Sequence, residues 1–257
     1  MIIHRNGRQQ ERWLNKPLQQ NKVNLVCFPF AGGGASVFNT LAEQLPELNV
    51  CSVQYPGRDA RIVEPRYTHF KSMHNRMAEA LIPQLMNHQV ILYGHSLGAW
   101  LAWVIAQELE QLGAPVLQLV VAAQRAPSCL YPYSSNSELT DRELEQALGV
   151  TFAPEIIANP QLKRLFLQVI RDDLTLCETF APDMSVIDTP LTIITAQHDH
   201  IVNPAEALAW KRHCKGTFAH HAFDAKHLFI DSHLTELCSV FRHISTPLCK
   251  TSWACAS

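Results

Sequence analysis

Glycine is scarce in this chain, 10 residues in 257, and so is charge, with only 17% Asp, Glu, Lys and Arg. No apolar run is long enough to span a bilayer, and the N-terminal stretch "MIIHRNGRQQERWLNKPLQQ" lacks the apolar core of a signal peptide. The expected location is therefore the cytoplasm. A net charge of -2 provides no basic field for nucleic acid and no acidic tail, so neither a membrane nor a polyanion is an expected partner. The eight cysteines, at 27, 51, 129, 177, 214, 238, 249 and 255, form no CxxC pair and no zinc-finger spacing, and they read as reduced core thiols. GxGxxG and the P-loop lysine pattern are also missing, which argues against a phosphate cradle as the alternative reading of the glycine-rich loop at 32–34. No cofactor and no metal are expected.

What is present is a chain with 47% hydrophobic residues, enough to bury a full core in one α/β domain. Strand-like runs at 23–28, 50–54, 90–93, 117–122, 191–195 and 217–223 alternate with helical patterns near 36–45, 69–86, 97–112, 204–214 and 228–243. That alternation predicts a mostly parallel sheet covered by helices. In 69–86, Phe70, Met73, Met77, Leu81 and Leu85 recur at steps of three or four and mark a buried face. Between the fourth and fifth runs there is no strand pattern. "TDREL" offers a capping box from Thr140 to Glu143, and a longer helix places Leu162, Leu165, Phe166, Val169 and Ile170 on one stripe. The expected organisation is a single domain over 1–246 with a helical lid insertion at about 127–188, followed by an irregular tail at 247–257. Nothing in the sequence demands more than a monomer.

Two of the scarce glycines flank one serine, in Gly94-His95-Ser96-Leu97-Gly98. This G-x-S-x-G pattern falls where an apolar run ends and a helix begins, the placement of a nucleophile elbow. A serine hydroxyl needs a base to take its proton and an acid to orient that base. In α/β-hydrolase order both follow the serine, each just beyond a strand. "QHDHIV" places Asp199 after one strand and "DAKHLFI" places His227 after the next, whereas His220 and His221 fall within a strand pattern and His233 and His243 within the last helix. An acyl-transfer site also needs oxyanion donors. The Leu97 amide is one, and the glycine-rich "FPFAGGGAS" supplies the other, from Ala31 or Phe30. His198 and His200 flank Asp199, but neighbouring side chains point apart and no further ligands are spaced to complete a metal site.

"LVCFPFAGGGASVF", "VQYPGRDARI", "LYGHSLGAWLAW", "IRDDLTLCETF", "DHIVNPAEALAW" and "KHLFI" together resemble the type II thioesterases associated with nonribosomal peptide and polyketide synthetases. The resemblance runs from about Leu25 to Phe241. It implies an α/β-hydrolase fold with Ser96, Asp199 and His227 as the triad, a helical lid, and a carrier-protein partner whose phosphopantetheine arm bears the acyl group. "PFAGGG" and "YPGRD" look most like members from siderophore synthetase clusters. Departures lie in the pocket wall: Phe30 stands where many relatives carry histidine or tyrosine, and Gln197-His198 precede the acid. Further candidates are Arg58 as a substrate or partner contact, or else as a turn-stabilising residue after Pro56-Gly57, Asp173 as a hydrogen-bonding group at the lid base, and Lys163, Arg164 and Arg171 as guides for an acidic carrier. The rival readings are a general small-ester esterase, which would share the triad, and a noncatalytic carrier-binding protein, which would not need it.

Overall fold

Apolar runs of four to seven residues become six strands of one sheet: β1 Asn24–Phe28, β2 Asn49–Ser52, β3 Val90–His95, β4 Val116–Ala122, β5 Leu191–Ala196 and β6 Phe218–Phe223. The structure is a computed structural model that describes residues 12–129, 139–148, 152, 154–182 and 184–254. Every strand pair is parallel, in the order β2-β1-β3-β4-β5-β6. The chain runs outward from β1 to β2, then returns to β3 on the other side of β1. Between β1 and β3 the strand order reverses, and that is where an open α/β sheet forms its crevice. The register sets Phe28 of β1 beside Gly94 of β3, so the glycine-rich loop and the serine turn leave the sheet side by side.

Side-chain alternation along the strands feeds two cores, one on each face. Val26, Phe28 and Leu92 pack toward α2 (Phe70–Leu85) and α3 (Leu97–Gln111), while Leu25, Cys27, Ile91 and Tyr93 pack toward α1 (Asn39–Gln44) and the last helix. All five positions of the apolar face predicted on α2 are buried. Helix α3 is buried nearly all round, as befits a central element. Truncation of its fully buried Trp103 to Ala would cost about 3–5 kcal/mol. Among the described residues, no helix is long and apolar enough to cross a membrane.

Between β4 and β5 lie α4 (Asp141–Leu148), α5 (Pro154–Ile157) and α6 (Pro160–Glu178). Thr140 and Glu143 form the capping box read from the sequence, with Thr140 N donating to Glu143 Oε2 at 2.8 Å and Glu143 N to Thr140 Oγ1 at 3.3 Å. Asn159 caps α6, accepting from Leu162 N, and Pro160 occupies the first turn, where its missing N–H costs nothing. The stripe expected on α6 is borne out in its second half, where Val169 and Ile170 are buried, whereas Leu165 and Phe166 are exposed. The helix packs Leu167, Ile170 and Leu174 with Leu144 of α4 in a small core of their own. Its next turn, Leu176 and Cys177, joins the main core.

The chain ends differ from expectation. Trp13, in a stretch that reads as polar, is buried under the Arg61 guanidinium, 4.5 Å from its ring centroid, and Leu14 bridges antiparallel to Val53. After α7 (Pro204–Leu208) and a 3-10 turn over Ala209–His213, the last helix, α8, spans Leu234–Ala254. It starts six residues later than the predicted 228 and continues through most of 247–257, where an irregular tail was expected. Residues 255–257 lie outside the described residues.

Candidate active site

Ser96 sits between β3 and α3 with φ 52° and ψ -122°, a left-handed conformation that a side chain adopts only at a cost. The flanking glycines explain how the turn is tolerated. A Cβ on Gly94 would strike the backbone of Gly98 and Ala99, and one on Gly98 would strike the carbonyl groups of Phe28 and Pro29. Both positions need a residue without a side chain because two backbones cross there.

The turn presents Ser96 Oγ to His227 Nε2 at 3.0 Å, and His227 Nδ1 meets Asp199 Oδ2 at 2.8 Å. The three residues come from the ends of β3, β5 and β6, and 131 positions separate the serine from the histidine. Asp199 Oδ1 accepts from the amides of Ile201 (2.8 Å) and Val202 (3.0 Å). Burial pushes its carboxyl up, but the His227 hydrogen bond and charge and those two amides outweigh burial and hold it below the ordinary carboxylate value. An ionised Asp199 fixes the proton on Nδ1 of His227. The Nε2 lone pair then faces the serine hydroxyl, the arrangement a general base requires.

The glycine-rich loop runs beside this group. Gly33 N donates to Phe30 O at 2.9 Å, and Gly32 N, at φ 82°, donates to Asp173 Oδ2 at 2.7 Å. Those two amides are thereby occupied. Among the described residues, the amides of Leu97, Ala31 and Phe30 have no protein acceptor in the hydrogen-bond network.

Arg58 does not reach out to a ligand. It is buried, with Nη1 2.5 Å and Nη2 2.8 Å from the two Asp173 carboxylate oxygens, and Nη1 also donates to Gly33 O at 3.2 Å. This bidentate pair ties α6 to the glycine-rich loop, because Asp173 simultaneously holds the Gly32 amide. Of the two readings of Arg58 the structure favours the structural one: Nη2 lies 3.5 Å from Pro56 O of its own turn, and its main partner lies 115 positions away and draws it inward. Asp173, 1% exposed, sits at the base of the insertion. Lys163 and Arg171 pair with Glu145 and Asp141 of α4, which binds the two helices together, and Arg164 is exposed.

Two residues that brace this group were not singled out in the sequence. His95, the residue before Ser96, is fully buried, and its Nε2 lies 2.8 Å from the His227 carbonyl oxygen. Arg125, just beyond β4, donates to Ile201 O at 2.8 Å and pairs with Glu206 at 3.3 Å, so it braces the loop that carries Asp199. Either would be visible in sequence only as a polar residue inside or directly after an apolar run. The competing histidines are engaged elsewhere: His220 with Thr195, His198 and His233 with Asp224. Phe30 makes an edge contact with the His95 ring, centroids 5.8 Å apart, at the junction of loop and elbow.

Residues 23–245 match the family described as Thioesterase domain. A protein of Streptomyces griseus named "Probable cadicidin biosynthesis thioesterase" is 31% identical over 230 residues, 87% of this chain, which spans only 63% of that relative's length. Thioesterase PikA5 of Streptomyces venezuelae is 31% identical over 236 residues, covering 88% of this chain and 83% of its own. Among solved structures, the type II thioesterase BorB from the borrelidin biosynthetic cluster superposes with a TM-score of 0.76 at 30% identity, over 90% of this chain and 95% of that one. So much of the chain is matched that its membership is plain: it belongs to the thioesterase family, as a type II thioesterase of the kind found in nonribosomal peptide and polyketide clusters, and it is a hydrolase of thioester bonds.

Proposed function

We propose that this thioesterase removes acyl groups from the phosphopantetheine arms of carrier proteins through Ser96, His227 and Asp199. The observation that carries the reading is the continuous chain Ser96 Oγ, His227 Nε2, His227 Nδ1, Asp199 Oδ2, with steps of 3.0 and 2.8 Å. Ser96 Oγ attacks the thioester carbonyl while His227 Nε2 takes its proton. Charge gathers on the former carbonyl oxygen, where the Leu97 amide and that of Ala31, with Phe30 as the neighbouring choice, donate to it. Collapse breaks the C–S bond, and the arm leaves as a thiol carrying the proton from His227. Thiolate is a good leaving group, since a free thiol titrates near about 8.5. Water then attacks the acyl-serine, again losing its proton to His227, and the acid departs with Ser96 restored.

In this reading α4 to α6 act as the lid over the site, and Asp173 with Arg58 anchors the base of that lid to the oxyanion loop. The chain acts as a monomer in the cytoplasm, and its task is to clear stalled or wrong acyl groups from an assembly line. The finer placement in a siderophore cluster rests on "PFAGGG" and "YPGRD" alone, and no distance in the site favours it. Intact-protein mass spectrometry of an acetyl-loaded carrier protein tests the proposal. The wild type should remove the acetyl group and Ser96→Ala should leave it in place. Cleavage of a simple ester with the carrier left loaded would retain the nucleophile and refute the substrate class.

A further inference from the structure

We infer that His95 is a positioning residue for the hydrolytic site, holding the peptide that carries His227 in register with the nucleophile. The inference rests on the reading of His227 as the base. His95 ends β3 and precedes Ser96 in the chain, so its backbone is part of the elbow, while its side chain reaches across to the other half of the site. A carbonyl oxygen only accepts, so His95 Nε2 must carry the proton it shares with His227 O at 2.8 Å. Nδ1 is then the acceptor, and Tyr93 Oη, at 3.2 Å, is its donor. One imidazole thus uses both nitrogens in a fixed tautomer and links the serine turn to the base.

Packing alone does not call for an imidazole here. The ring is fully buried, with the Phe229 centroid at 4.7 Å, that of Phe30 at 5.8 Å and that of His227 at 6.0 Å, each edge-on. A phenyl ring would fill such a space. What it could not supply is the donor toward the His227 carbonyl. Without that bond the peptide is free to rotate, and His227 has to satisfy two partners, Ser96 and Asp199, from a backbone no longer held. Burial and the neighbouring His227 also push the His95 imidazole down to about 3, so it stays neutral and sets no second positive charge against an imidazolium at His227.

The test compares His95→Phe, His95→Gln and His95→Asn with the wild type on the acetyl thioester of N-acetylcysteamine, following kcat, KM and thermal unfolding. Gln brings an amide nitrogen to the reach of Nε2, whereas Asn reaches only as far as Nδ1. His95→Phe should lose about 10- to 100-fold in kcat with KM little changed, the penalty of slight misalignment at a reacting centre. His95→Gln should recover to within about threefold, and His95→Asn should not. Should His95→Phe not fold, the Gln and Asn pair decides alone. A folded His95→Phe with wild-type kcat overturns the inference, and so do Gln and Asn variants equally impaired in step with lost stability. His227→Ala is the control for the underlying reading. If it stays active, the triad is wrong; if it is dead while His95→Phe is fully active, only the positioning role fails.

Discussion

The strand-end half of the site and the helical half opposite it are built in different ways. Ser96, Asp199 and His227 stand on turns whose amides are tied into neighbouring strands: Ser96 N to Ala122 O at 2.9 Å, and Gln197 N to Phe223 O at 2.9 Å. The helices between β4 and β5 share no ladder with the sheet. Among the described residues they hold to the rest through the buried ion pair Arg58–Asp173, a partly buried one at Arg66–Asp172, the Gly32 amide on Asp173, the Phe70 amide on Thr179 and the apolar inner face of α6. Ile157, Leu165 and Phe166 remain exposed on that half. Hydrogen-bonded strand ends give positions that tolerate no drift, as reacting groups need. A helical insertion bolted at its base by charge is free of that constraint elsewhere.

The largest break in this contrast should come from the strand-end half. Ser96→Ala should lower turnover of an acyl thioester by at least about 10³-fold with the melting temperature unchanged, because the triad acts as a unit and the fold does not depend on the hydroxyl. Next should be Asp173→Ala, which strands the Arg58 guanidinium in the interior. A loss of about 3–5 kcal/mol in urea unfolding is expected. A loss below about 1 kcal/mol would show that the bolt between the halves is unimportant.

Acidity should act through the strand-end half as well. Folded His95, among Tyr93, His227 and Asp199, binds its proton near about 3, and an unfolded imidazole does so near about 6.5. Unfolding therefore takes up a proton between those values. Stability from this residue is full above pH about 6.5 and falls as the pH drops toward 3, by at most about 1.4 kcal/mol per unit. Chemical unfolding at several pH values should show a slope of that sign, and His95→Gln should reduce it, leaving the share of His74 and His213, which burial also pushes down. The smallest effect belongs to the outer face of α6. Leu165→Ser and Phe166→Ser should each stay within about 0.5 kcal/mol of wild type in the same assay, while Leu167→Ala, one residue on, should cost about 2–5 kcal/mol.

The same division separates what could be read in advance from what could not. That Ser96, Asp199 and His227 meet was legible because each follows an apolar run at the point where a parallel strand must end, which is a local pattern. His95 and Arg58 make their bonds to partners 132 and 115 positions distant, which no local pattern names, whereas the hydrogen-bonding role read for Asp173 is the one it has. On α6 the predicted stripe holds at Val169 and Ile170, which are buried, and fails at Leu165 and Phe166, which are exposed. In α2 periodicity alone named the whole buried face.

For protein engineering, the atoms around Gly98 make the pentapeptide GHSLG a poor unit of transplantation. The space its missing side chain leaves is filled by the carbonyl groups of Phe28 and Pro29, at the end of the adjacent strand. That strand end is also where the glycine-rich loop begins. A graft that carried the serine turn without β1 and its loop would bring Ser96 to a surface with nothing to crowd against and only the Leu97 amide beside it. The smallest portable piece is two strand ends together, and a designer who moves one inherits the geometry of the other.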